Sequence, residues 1–309
     1  MKIDTFSLKD KLFKNLIVIF LMSTLPFSVL GIRPDSTYVF MPQDFGLIYK
    51  EFQVKTADNV SINVWFYPAQ DTTGYGSYKQ GRIMKNYHAD INKKPTIIIC
   101  NADANSMCYH IGNVKYLCPH GYNVVTFDWR GFAKSQKWKF DKNIACLEFL
   151  KDYNAVLDTV IQMKEVDNKR IGAYSFSTGA YISFLEFSLR SEIKALIVRG
   201  MFTSYKELIK NVDRIDPERI HPYPAAFDQP EYRAIDLAPH ITKPIMLIVG
   251  EHDVRTPPEM SIALLSNINS FIRDLWIVKG AEHGGQESPE VIDWKGFKQR
   301  TLDFYQQNL

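Results

Sequence analysis

Ser177 sits where a short β-branched and apolar run, Arg170-Ile171-Gly172-Ala173-Tyr174, breaks into small residues. The chain then resumes as the helix-forming run Ala180-Tyr181-Ile182-Ser183-Phe184-Leu185-Glu186-Phe187. This reads as a strand, a cramped turn and a helix, with one hydroxyl at the apex. On a strained elbow of this kind the serine Oγ is exposed and the next backbone N–H faces the substrate. Strand and helix nearly touch there, so the positions two before and two after the serine need small side chains. Gly179 meets that need fully and Ser175 adequately. Ser177 is therefore the candidate nucleophile; the commoner role for a serine ahead of a helix is an N-cap.

A lone serine hydroxyl is a poor nucleophile and needs a histidine base held by a carboxylate. In hydrolases built on a parallel sheet these partners follow in the order acid, then histidine, each just past a strand. The run Pro244-Ile245-Met246-Leu247-Ile248-Val249 ends in Gly250-Glu251-His252-Asp253, and Leu275-Trp276-Ile277-Val278 leads to Lys279-Gly280-Ala281-Glu282-His283. Asp253 and His283 thus leave the carboxyl ends of consecutive strands, where open α/β sheets place their sites. Alone, Asp253 would pass for a helix cap and His283 for a polar loop residue. Together, and in this order, the three residues point to a Ser-Asp-His triad.

The elements that must position them follow a simple pattern. Residues 49–56 and 60–67 alternate as two strands forming an antiparallel edge. From Pro95 onward strands alternate with helices, which implies a parallel sheet with helices on both faces. The third strand is expected at 95–100, the fourth at 123–127, the elbow strand at 170–174 and the sixth at 195–198. A helix is expected near 147–163, and the last helix at 291–306. Residues 33–47 form an irregular lead-in, and residues 71–94 a long polar surface insertion.

These motifs resemble the α/β-hydrolase superfamily, in its small-cap serine esterase, thioesterase and aminopeptidase-like branch. The resemblance covers about residues 45–307. Beyond the triad, Phe127-Asp128-Trp129-Arg130-Gly131-Phe132-Ala133-Lys134-Ser135 is similar to the family's D-x-R-G-x-G-x-S segment, with Ala133 where glycine is usual. It implies an α/β-hydrolase domain over 33–309, with a cap inserted after the sixth strand at about 199–243. That insertion is short and broken by Pro217, Pro222, Pro224 and Pro230, which suggests an open or shallow site. Met201, Phe202 and Tyr205 begin it, either as core packing or as acyl-pocket wall.

Where the family has His-Gly after the third strand, this chain has Asn101-Ala102-Asp103. By position, the Asp103 N–H would pair with the Thr178 N–H as oxyanion donors. A carboxylate beside a developing oxyanion would cost several kcal/mol unless turned away or neutralised. The expectation is that it turns towards solvent or the N-terminus of the following helix.

Three functions fit. The first is a serine hydrolase of carboxylic esters or thioesters, working without a cofactor on a small-molecule or acyl-ester substrate. The second is a peptidase on the same triad, where Glu251, Glu282 or Asp103 would hold a free amine. The third is a catalytically silent binding protein, favoured by Asn101-Ala102-Asp103.

Composition sets the remaining bounds. With 309 residues and 46% apolar content the chain can bury a large core. A net charge of +3 gives no argument for a nucleic-acid partner. Lys2, Lys9, Lys11 and Lys14 precede an uncharged stretch at 15–32. Residues 1–32 therefore read as an export signal, with cleavage possible after Gly31, or as an uncleaved membrane anchor. Either places the protein outside the cytoplasm (periplasmic or secreted) or at a membrane. Four cysteines make no framework and show no metal-ligand spacing. Cys108 and Cys118 are expected on one helix, about 15 Å apart, too far for a disulfide.

Overall fold

The runs expected as strands assemble into one eight-stranded sheet in the computed structural model, which describes residues 32–70, 92–140, 147–215 and 225–309. Its strands are β1 (Lys50–Lys55), β2 (Ser61–Tyr67), β3 (Lys94–Cys100), β4 (Asn123–Phe127), β5 (Val166–Phe176), β6 (Ile193–Arg199), β7 (Ile245–Gly250) and β8 (Arg273–Val278). They lie in the order β8-β7-β6-β5-β3-β4-β2-β1. Strand β2 runs antiparallel to both β1 and β4, and all other pairs are parallel. The elbow strand starts earlier than its apolar run suggests. Val166 already pairs with Lys94 across a register shift, and the polar residues Asp167-Asn168-Lys169 hide that extension from a hydrophobic pattern.

Helices cover both faces: α1 (Ile111–Leu117), α2 (Glu148–Val160), α3 (Thr178–Leu189), α4 (Tyr205–Ile215), α5 (Pro258–Asn267) and α6 (Trp294–Asn308). Strands buried on both faces read as unbroken apolar runs, and successive side chains point to opposite faces. Ile98 packs with α2 and α3, whereas Ile97 and Ile99 pack with α1 and α6. Each such side chain contributes roughly 1.5–3 kcal/mol of burial. The last helix departs from its expected start. Asp293 breaks the chain at φ −131°, its Oδ1 accepts the Gly296 N–H at 2.8 Å, and a new helix begins at Trp294.

The segment after β4 is structural. Arg130 is fully buried; its guanidinium and backbone N–H bond Asp152, and it also pairs with Asp58. Removing one partner would strand a buried charge at a cost of about 3–5 kcal/mol. Asp128 receives the Tyr38 hydroxyl at 2.5 Å and the Met107 N–H at 2.7 Å, while burial pushes its carboxyl up to about 7. Ala133, standing where the family has glycine, holds φ +36°. An L-residue there costs about 1–2 kcal/mol, and glycine would return roughly 0.4–1 kcal/mol through the unfolded chain. Ala133→Gly should therefore raise stability by about 0.5–1 kcal/mol in urea unfolding. An unchanged or lower midpoint would show that the surrounding turn already absorbs the strain.

Between β6 and β7, α4 buries Tyr205, Leu208, Ile209 and Val212 along one stripe. Met201, Phe202 and Tyr205 are fully buried, and Phe202 stacks on Tyr181 at 4.4 Å, so all three are core packing. Residues 216–224, with Pro217, Pro222 and Pro224, and residues 71–91 lie outside the described residues. So do Cys146 and nearly all of the 1–32 segment, of which Ile32 packs against the core. Among the described residues no helix is long and apolar enough to cross a membrane. Cys100, Cys108 and Cys118 are free and buried.

Candidate active site

Only Ser177 separates β5 from α3, so this one residue must turn the chain from strand to helix. It does so at φ 54° and ψ −121°, a conformation that costs of order 1–3 kcal/mol and persists only where its surroundings over-determine it. Three contacts do that. The Ser177 N–H donates to the Arg199 carbonyl at 2.9 Å, and the Ser177 carbonyl accepts from the Tyr181 N–H at 3.0 Å. At position 179, an added Cβ would lie 2.1 Å from the Asn101 carbonyl oxygen, so glycine alone lets α3 approach the end of β3. Ser175 is buried, and its hydroxyl has no partner among the described residues. It fills space in the turn.

The loops after β7 and β8 carry Asp253 and His283 to this turn. Ser177 Oγ lies 3.0 Å from His283 Nε2, and His283 Nδ1 lies 2.7 Å from Asp253 Oδ2. Asp253 is buried, with Oδ1 accepting the N–H groups of Arg255 and Thr256 and Oδ2 accepting the Thr256 hydroxyl. Burial alone would push this carboxyl up. The His283 ring and the Thr256 donors outweigh that, holding it below the ordinary carboxylate range. An ionised Asp253 keeps a proton on Nδ1, which leaves Nε2 free to accept one from Ser177.

The expected oxyanion donors are the N–H groups of Thr178 and Asp103. Thr178 opens α3, Asp103 follows β3, and among the described residues neither N–H is bound to a backbone carbonyl. Asp103 itself is half-buried. It does not cap the helical turn that begins at Met107, whose N–H is taken by Asp128 instead. Burial raises the Asp103 carboxyl above its ordinary value; Arg255, Arg33, its own N–H and His283 pull the other way. The two arginines thus favour the charged form that burial opposes. Of the other acidic candidates, Glu251 is exposed and accepts the Gly280 N–H at 2.8 Å, while Glu282 faces Glu287.

Two residues escaped sequence reasoning. Thr256 is bonded to Asp253 and lies 3.2 Å from His283 Nδ1, yet a threonine three residues past an acid carries no signal. Arg199 did carry one, a charge closing the apolar run Ala195-Leu196-Ile197-Val198. It is buried, its Nη1 donates to the His283 carbonyl at 2.7 Å, and its Nη2 pairs with Glu290 at 3.0 Å. Its guanidinium stacks on Phe176 at 3.5 Å, and that ring in turn packs 5.0 Å from the His283 imidazole. Its backbone holds Ser177 and its side chain holds His283.

YfhR of Escherichia coli (strain K12), an uncharacterised protein, is 25% identical over 178 residues; these are 52% of this chain and 61% of that one. The esterase FrsA of Serratia proteamaculans is 29% identical over 90 residues, covering 29% of this chain and 20% of its own. This chain thus spans less than two thirds of the length of either relative. The Pyrococcus furiosus esterase Pf2001 superposes with a TM-score of 0.68 at 20% identity, over 89% of this chain and 99% of that one. It shows the shared α/β-hydrolase fold. The profile of the prolyl oligopeptidase family matches residues 109–309, more than half of the chain and all three residues of the array. The chain belongs to the prolyl oligopeptidase family of α/β-hydrolases.

Proposed function

We propose that this serine hydrolase cleaves a carboxylic ester or thioester through an acyl-enzyme. The observation that carries the reading is the unbroken chain from Ser177 Oγ through His283 to Asp253, at 3.0 and 2.7 Å. Ser177 Oγ attacks the carbonyl carbon as its proton passes to His283 Nε2. The oxyanion that forms is held by the N–H groups of Thr178 and Asp103. Collapse expels the alcohol or thiol, which takes the proton from Nε2. Water then gives its proton to the same nitrogen, attacks the acyl-enzyme and releases the acid and Ser177. Asp253 orients the imidazole and supports its positive charge without itself taking a proton. The membership in a peptidase family favours amide cleavage as the second reading.

Wild type and Asp103→Gly, assayed on p-nitrophenyl esters of graded chain length and on peptide anilides, test both readings. Esters should be turned over faster than anilides. Asp103→Gly should stay within about tenfold of wild type, because the donor is backbone and the carboxylate opposes an oxyanion. Anilides as the better substrates would establish the peptidase instead. No turnover of any member by either protein would establish a silent binding protein.

A further inference from the structure

The loop that carries Asp103 runs from the end of β3 to the helical turn at Met107. Its N–H serves an oxyanion well only if the loop already holds one shape when substrate arrives, because the effect of such a donor lies in its preorganisation. Local structure does little to fix that shape. No helix includes residues 101–106, and Asn105 sits at φ 69°, in the left-handed region that L-residues seldom adopt.

The hold comes instead from the lead-in. Arg33–Pro34 lies parallel to Ala104–Asn105; the Arg33 N–H donates to the Asp103 carbonyl at 2.8 Å, and the Asp35 N–H reaches the Asn105 carbonyl at 3.4 Å. The Asp35 carboxylate accepts the Ser106 hydroxyl at 3.3 Å. Asp128 completes the series, accepting the Met107 N–H on Oδ1 and the Tyr38 hydroxyl on Oδ2. Asp103, Asn105, Ser106 and Met107 are thus tied to one short segment or to the carboxylate that anchors it. The segment is itself fixed to the body of the domain. The Ala133 N–H donates to the Asp35 carbonyl at 2.7 Å, Asn63 Nδ2 donates to the Tyr38 hydroxyl at 2.7 Å, and the Tyr38 ring packs 4.5 Å from that of buried Trp65. Pro34 suits this position, since Arg33 and Asp35 on either side of it supply the donors and the N–H that proline lacks is not called on.

We propose that residues 33–38 are a positioning strap for the oxyanion loop, which holds the Asp103 N–H in place through backbone bonds from the lead-in. Its catalytic consequence rests on the hydrolase reading and the Asp103 donor, whereas the docking of the strap on the loop is measurable without turnover. A group displaced by about 1 Å from its productive geometry costs on the order of a hundredfold in rate, and that is the scale on which the strap acts.

The test uses three full-length variants. Arg33→Pro deletes the N–H that binds Asp103; position 33 already precedes Pro34 and is therefore biased to extended backbone, which proline accepts. Arg33→Ala removes the guanidinium and keeps the N–H, and Tyr38→Phe releases the strap at its far end. On p-nitrophenyl butyrate, Arg33→Pro should lower kcat by about ten- to a hundredfold with KM within about twofold. Arg33→Ala should recover to within about threefold of wild type, with Tyr38→Phe between the two. A trifluoromethyl ketone, whose adduct with Ser177 places an oxyanion in the hole, should weaken in each variant by the same factor as kcat/KM. Folded variants in which both Arg33 substitutions act alike, in which KM rises while kcat holds, or in which Arg33→Pro leaves kcat unchanged overturn the strap. Hydrogen exchange of the peptide spanning 101–108 reads the docking directly. Faster exchange there in Arg33→Pro, but not in Arg33→Ala, sustains the docking even if wild type hydrolyses no ester, a failure that would count against the hydrolase reading alone. Exchange equal to wild type in Arg33→Pro refutes it.

Discussion

Ser177→Ala should lose ester hydrolysis by about five to six orders of magnitude while remaining folded. The size of the effect follows from a triad acting as one unit, in which removal of the nucleophile leaves only binding and oxyanion stabilisation. Structure should survive, because the contacts that fix the elbow run through the Ser177 backbone, to the Arg199 carbonyl and the Tyr181 N–H. Ser177→Gly sharpens the point. Glycine adopts φ 54° without the strain a side chain suffers there, so this variant should be as inactive as alanine yet more stable by about 1 kcal/mol. Urea unfolding beside an ester assay reads both quantities. Inactivity coupled to a gain in stability is what strain held for function predicts. Ser177→Ala turning over substrate at a wild-type rate would move the nucleophile elsewhere.

Asp253→Asn should lower kcat by roughly four orders of magnitude with little change in KM. The amide is isosteric and its oxygen can still accept the Arg255 and Thr256 N–H groups. Its NH₂ would then face His283 Nδ1, forcing that nitrogen to become the acceptor and putting the proton on Nε2. A protonated Nε2 cannot take the Ser177 proton. The substitution should also change how stability depends on pH. The Asp253 carboxyl is held below its unfolded value, so its ionisation contributes stability that is fully present above the ordinary carboxylate range. That contribution is lost as pH falls through the depressed value. Acid unfolding of Asp253→Asn should lack this limb. A silent Asp253→Asn, with another carboxylate substitution abolishing turnover, would show that the acid lies elsewhere.

The inner strands were legible because a sheet buried on both faces demands unbroken apolar runs, and the edge strand β1 because its side chains alternate. Ser177, Asp253 and His283 were legible because each follows such a run in a fixed order. What stayed hidden depended on contacts between distant segments. The Asp103 carboxylate lies in the field of Arg33 and Arg255, which no local pattern brings near it. The start of β5 at Val166 was obscured by the polar residues Asp167, Asn168 and Lys169, which fall at a shift in its register with β3. The lead-in has no periodicity, and its docking of Arg33–Pro34 beside Ala104–Asn105 runs through backbone groups. Arg199 was visible as an anomaly, but its grip on the His283 carbonyl needed three dimensions.

The central claim is that Ser177 is an activated nucleophile, and a fluorophosphonate probe followed by peptide mass mapping tests it most directly. Only a serine whose proton is taken by a base reacts rapidly with such a reagent. The array predicts one adduct per chain, on the peptide carrying Ser177. It should be absent from Ser177→Ala and slowed by orders of magnitude in Asp253→Asn. Folded wild-type protein that stays unlabelled, or that carries its adduct on a different residue, would contradict the account.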